Sequence, residues 1–206
     1  MKIVDALKCE GRPFEIPDAR RDDLPGALIE VGLKVGAEIG VAKGVFSEKF
    51  CQAGLKVFSV DAWRPLPDYQ EEGMKERLAA EYEEAKKRLS PYDCTIIRKT
   101  SMDALADIPD RSLDWIYIDA HHGFRHIADD LWEWSKKVKK GGWIMGHDYI
   151  ELRRPYREAA YVLHVKHVVD AYTRAMKISP WFVLGRKHKA EGEMRDKFRS
   201  YFWINP

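Results

Sequence analysis

Three histidines, His121, His122 and His126, crowd the stretch YIDAHHGFRHIADDL (117–131), directly after an apolar run that ends in Asp119. Imidazole exchanges protons and binds metal ions near neutral pH, so their position decides whether they line a reaction site or a solvated loop. A second pair of this kind, His147 and Asp148, closes the next apolar run, GGWIMGHDY (141–149). If both runs are neighbouring parallel strands, Asp119, His147 and Asp148 converge at one rim, with His121 and His122 on the adjoining turn. That set suits a divalent cation. Magnesium prefers oxygen, and an imidazole ligand shifts the preference toward manganese, iron, cobalt or zinc. Two alternatives stay open: Asp119 and Asp148 hold the ion while His147 points elsewhere, or no ion binds.

A second constellation lies upstream. EIGVAKG gives Glu38-x-Gly40-x-x-x-Gly44 at the end of an apolar run, and Asp61 closes the following run about twenty residues after Gly40. In a doubly wound sheet, glycines at that turn let the backbone approach a ligand, and the acid beside it accepts hydrogen bonds from a ribose. A dinucleotide fingerprint would place glycine where Glu38 stands, and a carboxylate there repels a diphosphate. An acid suits a nucleoside with a cationic amino-acid end, which points to S-adenosylmethionine (SAM).

Both constellations need a scaffold, and the chain alternates the elements for one. Strands are expected at 34–41, 56–63, 94–100, 113–120 and 141–149, and helices at 45–54, 68–89, 126–140 and 164–176. Helices between strands mean parallel pairing with crossovers, and runs such as WIYI fit a sheet covered on both faces. In the 126–140 helix, Ile127, Leu131, Trp134 and Val138 fall on one face, and Asp129 and Asp130 suit the positive end of its dipole. Two aromatic runs, PWFVLGR (180–186) and SYFWIN (200–205), are expected to pair antiparallel and close one edge of the sheet. The expected organisation is a single domain over 1–206: an N-terminal segment and helix (1–33), a cofactor-binding core (34–150) and a substrate-side helix with edge strands (151–206).

Composition narrows the function. Of 206 residues, 35 are basic and 33 acidic, and a net charge of +2 gives no field of the kind that gathers nucleic acid. The three cysteines match no zinc or redox spacing and read as small packed thiols in a reducing interior. With no signal peptide and no apolar run long enough to span a bilayer, a cytoplasmic protein without a membrane partner is expected.

Taken together, the acid-x-Gly-x-x-x-Gly turn, the acid after the second strand and the stretch LDWIYIDAHHGFRHIADDLWEWSKKVKKGGWIMGHDY (113–149) resemble class I SAM-dependent methyltransferases. The last stretch is similar to their small-molecule O-methyltransferase branch, which holds catechol and macrolide-sugar methyltransferase-like and cephalosporin-hydroxylase-like proteins. The resemblance implies a Rossmann-like doubly wound, mostly parallel sheet with helices on both faces. It implies ribose contact by Asp61 with Ala62 and Trp63 beside it, and adenine near Ser101 and Met102, although Met102 also reads as core. Asp119 would border both donor and ion. In the catechol enzymes a lysine three residues after that acid is the proposed base; the place here is His122, with His147 as second choice. The acceptor would be a small-molecule hydroxyl, entering beneath the N-terminal RPFEIPDARRDD or the 149–161 segment. There Arg153, Arg154 and Arg157 could grip an anion or simply be solvated. The rival readings are a nucleic-acid or protein methyltransferase on the same fold, a non-haem metal oxygenase with a two-histidine, one-carboxylate iron site, and a nucleoside-binding regulatory subunit. A homo-oligomer is compatible with all of them.

Overall fold

The computed structural model describes residues 1–66, 72–151, 163–188, 190–191 and 198–206. Among these, eight strands form one sheet: β1 (Phe14–Ile16), β2 (Val35–Ile39), β3 (Lys56–Val60), β4 (Cys94–Ile97), β5 (Leu113–Ile118), β6 (Val138–Gly146), β7 (Trp181–Leu184) and β8 (Tyr201–Ile204). Their spatial order is β1-β7-β8-β6-β5-β2-β3-β4. Strands β2 to β6 pair in parallel, and β8 runs antiparallel to both β6 and β7. The chain builds outward from β2 to β4, then returns to place β5 and β6 on β2's other side. The order therefore reverses between β2 and β5, and a ligand crevice opens outside the strand ends at such a switch point.

Among the described residues, six helices cover this sheet: α1 (Ile3–Ala6), α2 (Leu24–Glu30), α3 (Val45–Gln52), α4 (Met74–Leu89), α5 (Phe124–Ser135) and α6 (Val165–Ala175). Strand β5 shows why both faces need cover. Side chains alternate along a strand, so Ile116 and Ile118 enter one core with Leu131 and Trp134 of α5, while Trp115 and Tyr117 enter the other with Phe46 and Phe50 of α3. Each such large apolar side chain contributes roughly 1.5–3 kcal/mol by leaving water. No described helix is long and apolar enough to cross a membrane.

Two expectations need correction. The helix expected over 126–140 ends at Ser135, and Val138 pairs with Leu113 as the start of β6 instead of extending the apolar stripe of α5. The left-handed backbone of Gly141 sits within that strand, where the ladder is irregular, so a glycine pair that reads as a strand start lies in its interior. The aromatic runs do pair antiparallel, yet β7 is not the edge. It pairs in parallel with β1, a three-residue strand too short to show periodicity. Residues 68–71 of the expected second helix, and Arg153, Arg154 and Arg157, lie outside the described residues.

Candidate active site

The trailing residue of each central strand is fastened to its neighbour's end, and this draws the expected site residues onto one rim. Gly40 N–H donates to the Val60 carbonyl (2.8 Å), Asp61 N–H to Ile97 (3.2 Å), Asp119 N–H to Ile39 (2.8 Å) and His147 N–H to Ile118 (3.0 Å). Gly40 has φ +88°, and a Cβ there would collide with the Asp119 carbonyl. Its glycine is thus demanded by the close approach of β2 and β5 before any ligand is considered.

Asp61 is already committed to the backbone. Its Oδ2 accepts from Val41 N–H (2.9 Å) and Ala42 N–H (3.0 Å), and its Oδ1 accepts from Trp63 N–H (2.8 Å). A carboxylate has about four acceptor positions, so one remains for a ligand hydroxyl. Trp63, 2% exposed, packs on Tyr82 and donates its indole N–H to the Ala42 carbonyl, so it supports the glycine turn from beneath. Ala62 is half-buried beside it. Gly44 starts α3 in the left-handed region, with a side of Leu89 close to where its Cβ would lie.

Glu38 behaves differently from its sequence reading. It is 2% exposed and accepts a hydrogen bond from Ser47 Oγ, which lies 2.6 Å from Ser59 Oγ. Burial pushes its carboxyl up to about 8, against the help of Ser47. At neutral pH it is mostly uncharged, so it cannot be the charge that excludes a diphosphate.

Ser101 and Met102 follow β4, Met102 packing partly into the core and Ser101 close enough to the carboxyl of Asp130 to favour its charged form. Asp130 is 1% exposed, and burial pushes its carboxyl up to about 6. It lies in the second turn of α5 and faces inward, so the expected dipole role does not describe it.

The histidine question resolves at the rim between β5 and β6. His122 Nε2 lies 2.9 Å from Asp148 Oδ2 and 3.8 Å from Asp119 Oδ1. His147 Nδ1 lies 3.3 Å from Asp148 Oδ1 and 3.7 Å from Asp119 Oδ2. Asp119, His122 and Asp148 each offer a ligand atom within 4.8 Å of the others, a group fit for a cation. The imidazole in that group is His122, where the sequence pointed to His147. One imidazole with two carboxylates is also the reverse of the two-histidine, one-carboxylate iron site. Burial opposes a charge on His122, but Asp119 and Asp148 outweigh it and push the imidazole up to about 9. Held so, His122 must lose a proton before it can act as the base expected of it. Burial likewise opposes the charge of Asp148, and His122 and His147 hold its carboxyl well below the usual carboxylate range.

Three further histidines make local contacts around the start of α5. His121 Nδ1 accepts from Gly123 N–H (3.0 Å) and its ring lies on that of His126, while His164 Nδ1 accepts from Phe124 N–H (3.2 Å) at the start of α5. One rim residue gave no signal in the sequence. Arg21, from the short 3₁₀ turn before α2, places Nη1 3.6 Å from Asp119 Oδ2 and 3.4 Å from His147 Nε2. It stands in a segment expected to cover the rim, but no spacing ties it to residues so distant in the chain.

Comparison with known proteins bears on the fold that carries this rim. A Sinorhizobium fredii protein, y4gI, is 28% identical over 119 residues, which is 54% of this chain; the chain spans only 12% of that relative's length. The fold is shared with an O-methyltransferase from Bacillus cereus solved in complex with SAH (TM-score 0.60, 14% identity, 89% of this chain and 80% of that one). It is shared too with the O-methyltransferase TomG from Streptomyces achromogenes in complex with SAM (TM-score 0.59, 12% identity, 90% and 79%) and with an rRNA methylase from Streptococcus thermophilus (TM-score 0.59, 10% identity, 91% and 97%). Residues 37–149, from the glycine turn through the cation-fit cluster, match the methyltransferase-domain family model over more than half of the chain, and the chain belongs to that family.

Proposed function

We propose that this chain transfers a methyl group from SAM to a hydroxyl of a small-molecule acceptor. The observation that carries the reading is the convergence of Asp119, His122 and Asp148 on the same strand-end rim as Gly40 and Asp61. In this reading the donor's ribose takes the remaining acceptor position of Asp61, and its adenine lies toward Ser101 and Met102. The donor's positive amino-acid and sulfonium groups face the rim on the side of Asp119 Oδ2, away from His122.

Methyl transfer is an in-line displacement: the acceptor oxygen bonds the methyl carbon as the carbon–sulfur bond breaks, and the sulfonium becomes a neutral thioether. The hydroxyl proton must leave to a nearby base. His147 fills that place in this reading, because its Nε2 faces Arg21 and not a carboxylate, while Nδ1 faces Asp119 and Asp148. Two carboxylates and an imidazole form a donor set that fits manganese, iron, cobalt or zinc better than magnesium. A divalent ion held by Asp119, His122 and Asp148 would supply Lewis-acid polarisation of the acceptor oxygen. The protein's own share is alignment, the larger source of rate in such a displacement.

The two O-methyltransferases found with SAH or SAM on this fold support the donor, and the near-neutral net charge supports a small acceptor. The rRNA methylase shares the fold equally, so the acceptor class rests on charge and not on topology. The test is calorimetric titration with S-adenosylhomocysteine, followed by turnover of SAM with hydroxylated small molecules or RNA, each with manganese or with chelator. Saturable binding and small-molecule-dependent turnover are expected. Absence of nucleoside binding rejects the reading, and turnover with RNA alone rejects the acceptor.

A further inference from the structure

We infer that Arg21 is a recognition residue for a carboxylate, the one at the amino-acid end of the methyl donor. This rests on the proposed use of SAM, and the observations are those of the arginine itself. Its guanidinium carbon lies 4.1 Å from the centre of the Phe46 ring and 5.6 Å from that of Tyr117. This contact with Phe46, in the first turn of α3, holds the guanidinium by cation–π attraction without using its N–H groups.

Those N–H groups are underused. A guanidinium carries five donors in a fork that fits a carboxylate two-pronged. Here, among the described residues, only Nη1 has polar partners, and both are long: 3.6 Å to Asp119 and 3.4 Å to His147. Nε and Nη2 have none, although the side chain is only 28% exposed. A cation so placed is held ready by aromatic contact and left with its fork open.

The segment that delivers it is firmly tied. Arg20 N–H donates to Asp23 Oδ2 (2.8 Å), Lys49 Nζ of α3 meets Asp22 Oδ1 (2.6 Å), and Leu24 is fully buried just beyond. Arg21 is therefore a fixed wall of the crevice at the β2–α3 corner, over Phe46 and beside Glu38 and Asp119. An amino acid bound there as a zwitterion would meet opposite charges at its two ends: Arg21 for the carboxylate, and Asp119 Oδ2, the oxygen turned toward Arg21 and away from His122, for the ammonium. A carboxylate could come from the donor or from an anionic acceptor. The position over the first turn of α3, next to the glycine turn, assigns it to the donor.

The experiment compares S-adenosylhomocysteine with 5′-methylthioadenosine, the same thioether nucleoside without the amino-acid end, on wild type, Arg21→Met and Arg21→Lys. Titration calorimetry is run beside thermal denaturation to confirm folding. Arg21→Met is expected to weaken S-adenosylhomocysteine by roughly 10- to 100-fold, the range for a lost charge-assisted pair, and to leave methylthioadenosine within about twofold. Arg21→Lys keeps the charge and loses the fork, so an intermediate loss confined to S-adenosylhomocysteine is expected even if the methionine variant does not fold. Equal losses for both ligands, or no loss for either, overturn the assignment of Arg21 and leave the proposed donor standing. A wild-type protein that binds neither nucleoside overturns the donor, and this inference with it.

Discussion

Glu38 offers the sharpest test of the buried electrostatics. Its carboxyl is raised from an ordinary value of 4.5 to about 8 by burial, so the folded protein holds a proton that the unfolded chain releases through most of the physiological range. The sign follows from linkage. Where the native state binds more protons than the unfolded state, stability falls as pH rises, here from about 4.5 until the folded carboxyl has ionised near 8. Each pH unit in that window costs about 1.4 kcal/mol, so between pH 5 and 8.5 this one group should remove about 4 kcal/mol. Glu38→Gln keeps the shape and an oxygen for Ser47 Oγ but cannot ionise. Urea denaturation of wild type and variant across that range isolates the group, because other titrations cancel in the difference. The variant should gain on wild type steadily from pH 5, with the advantage levelling off above pH 8. A difference that stays constant within about 1 kcal/mol would mean that Glu38 ionises as in water, and the account of a neutral floor beneath the crevice would be wrong.

Other perturbations probe the rim. Gly40→Ala must place a Cβ at φ +88° against the Asp119 carbonyl, and a loss of about 3 kcal/mol or more is expected in thermal or chemical denaturation; a loss under about 1 kcal/mol would show that β2 and β5 can separate there. Asp61→Ala removes three backbone hydrogen bonds as well as the proposed ribose contact, so it should cost about 2–3 kcal/mol of stability in addition to nucleoside affinity. An affinity loss with stability unchanged would refute its part in fastening the turn. The imidazole of His122, raised to about 9, adds stability that is complete below pH 6.5 and is lost as pH climbs through 9. Asp148→Asn removes one of its two carboxylates, so NMR titration of the metal-free protein should show the His122 midpoint moving down, and an unmoved midpoint would sink the ion-pair geometry.

Much of this arrangement was legible in the residue order because parallel strands repeat the same signal. Each central strand is an apolar run that ends in a polar or glycine residue, and that rule alone brings Gly40, Asp61, Asp119, His147 and Asp148 to one edge. What the order of residues could not carry was the direction of individual side chains beyond those ends. His122 and His147 are both within reach of Asp119 and Asp148. Which imidazole joins the cation-fit group depends on the turn after β5 and on the left-handed backbone of Asp148, φ +58°. The protonation of Glu38 depends on Ser47 and Ser59, brought beneath it by α3 and β3. Strand β1 hides because three residues hold no period, and Arg21 hides because a guanidinium held over a ring leaves no spacing in the chain.

Strain at the rim has the same origin as its order. Ala42, Trp63 and Asp148 all have positive φ without being glycine, and all three sit at or just past the ends of β2, β3 and β6. For a residue as large as tryptophan this conformation is a genuine outlier, and it persists only where the surroundings over-determine it. Here they do: the Asp61 carboxylate grips the N–H groups of Val41, Ala42 and Trp63, and the Trp63 indole grips the Ala42 carbonyl in return. The cost of the strained backbone is met by hydrogen bonds that exist before any ligand arrives, so the glycine turn is set in advance and does not have to be ordered by the donor. A displacement that depends on alignment of an oxygen with a methyl carbon gains most from such a fixed edge, since geometry settled during folding need not be settled again in each turnover.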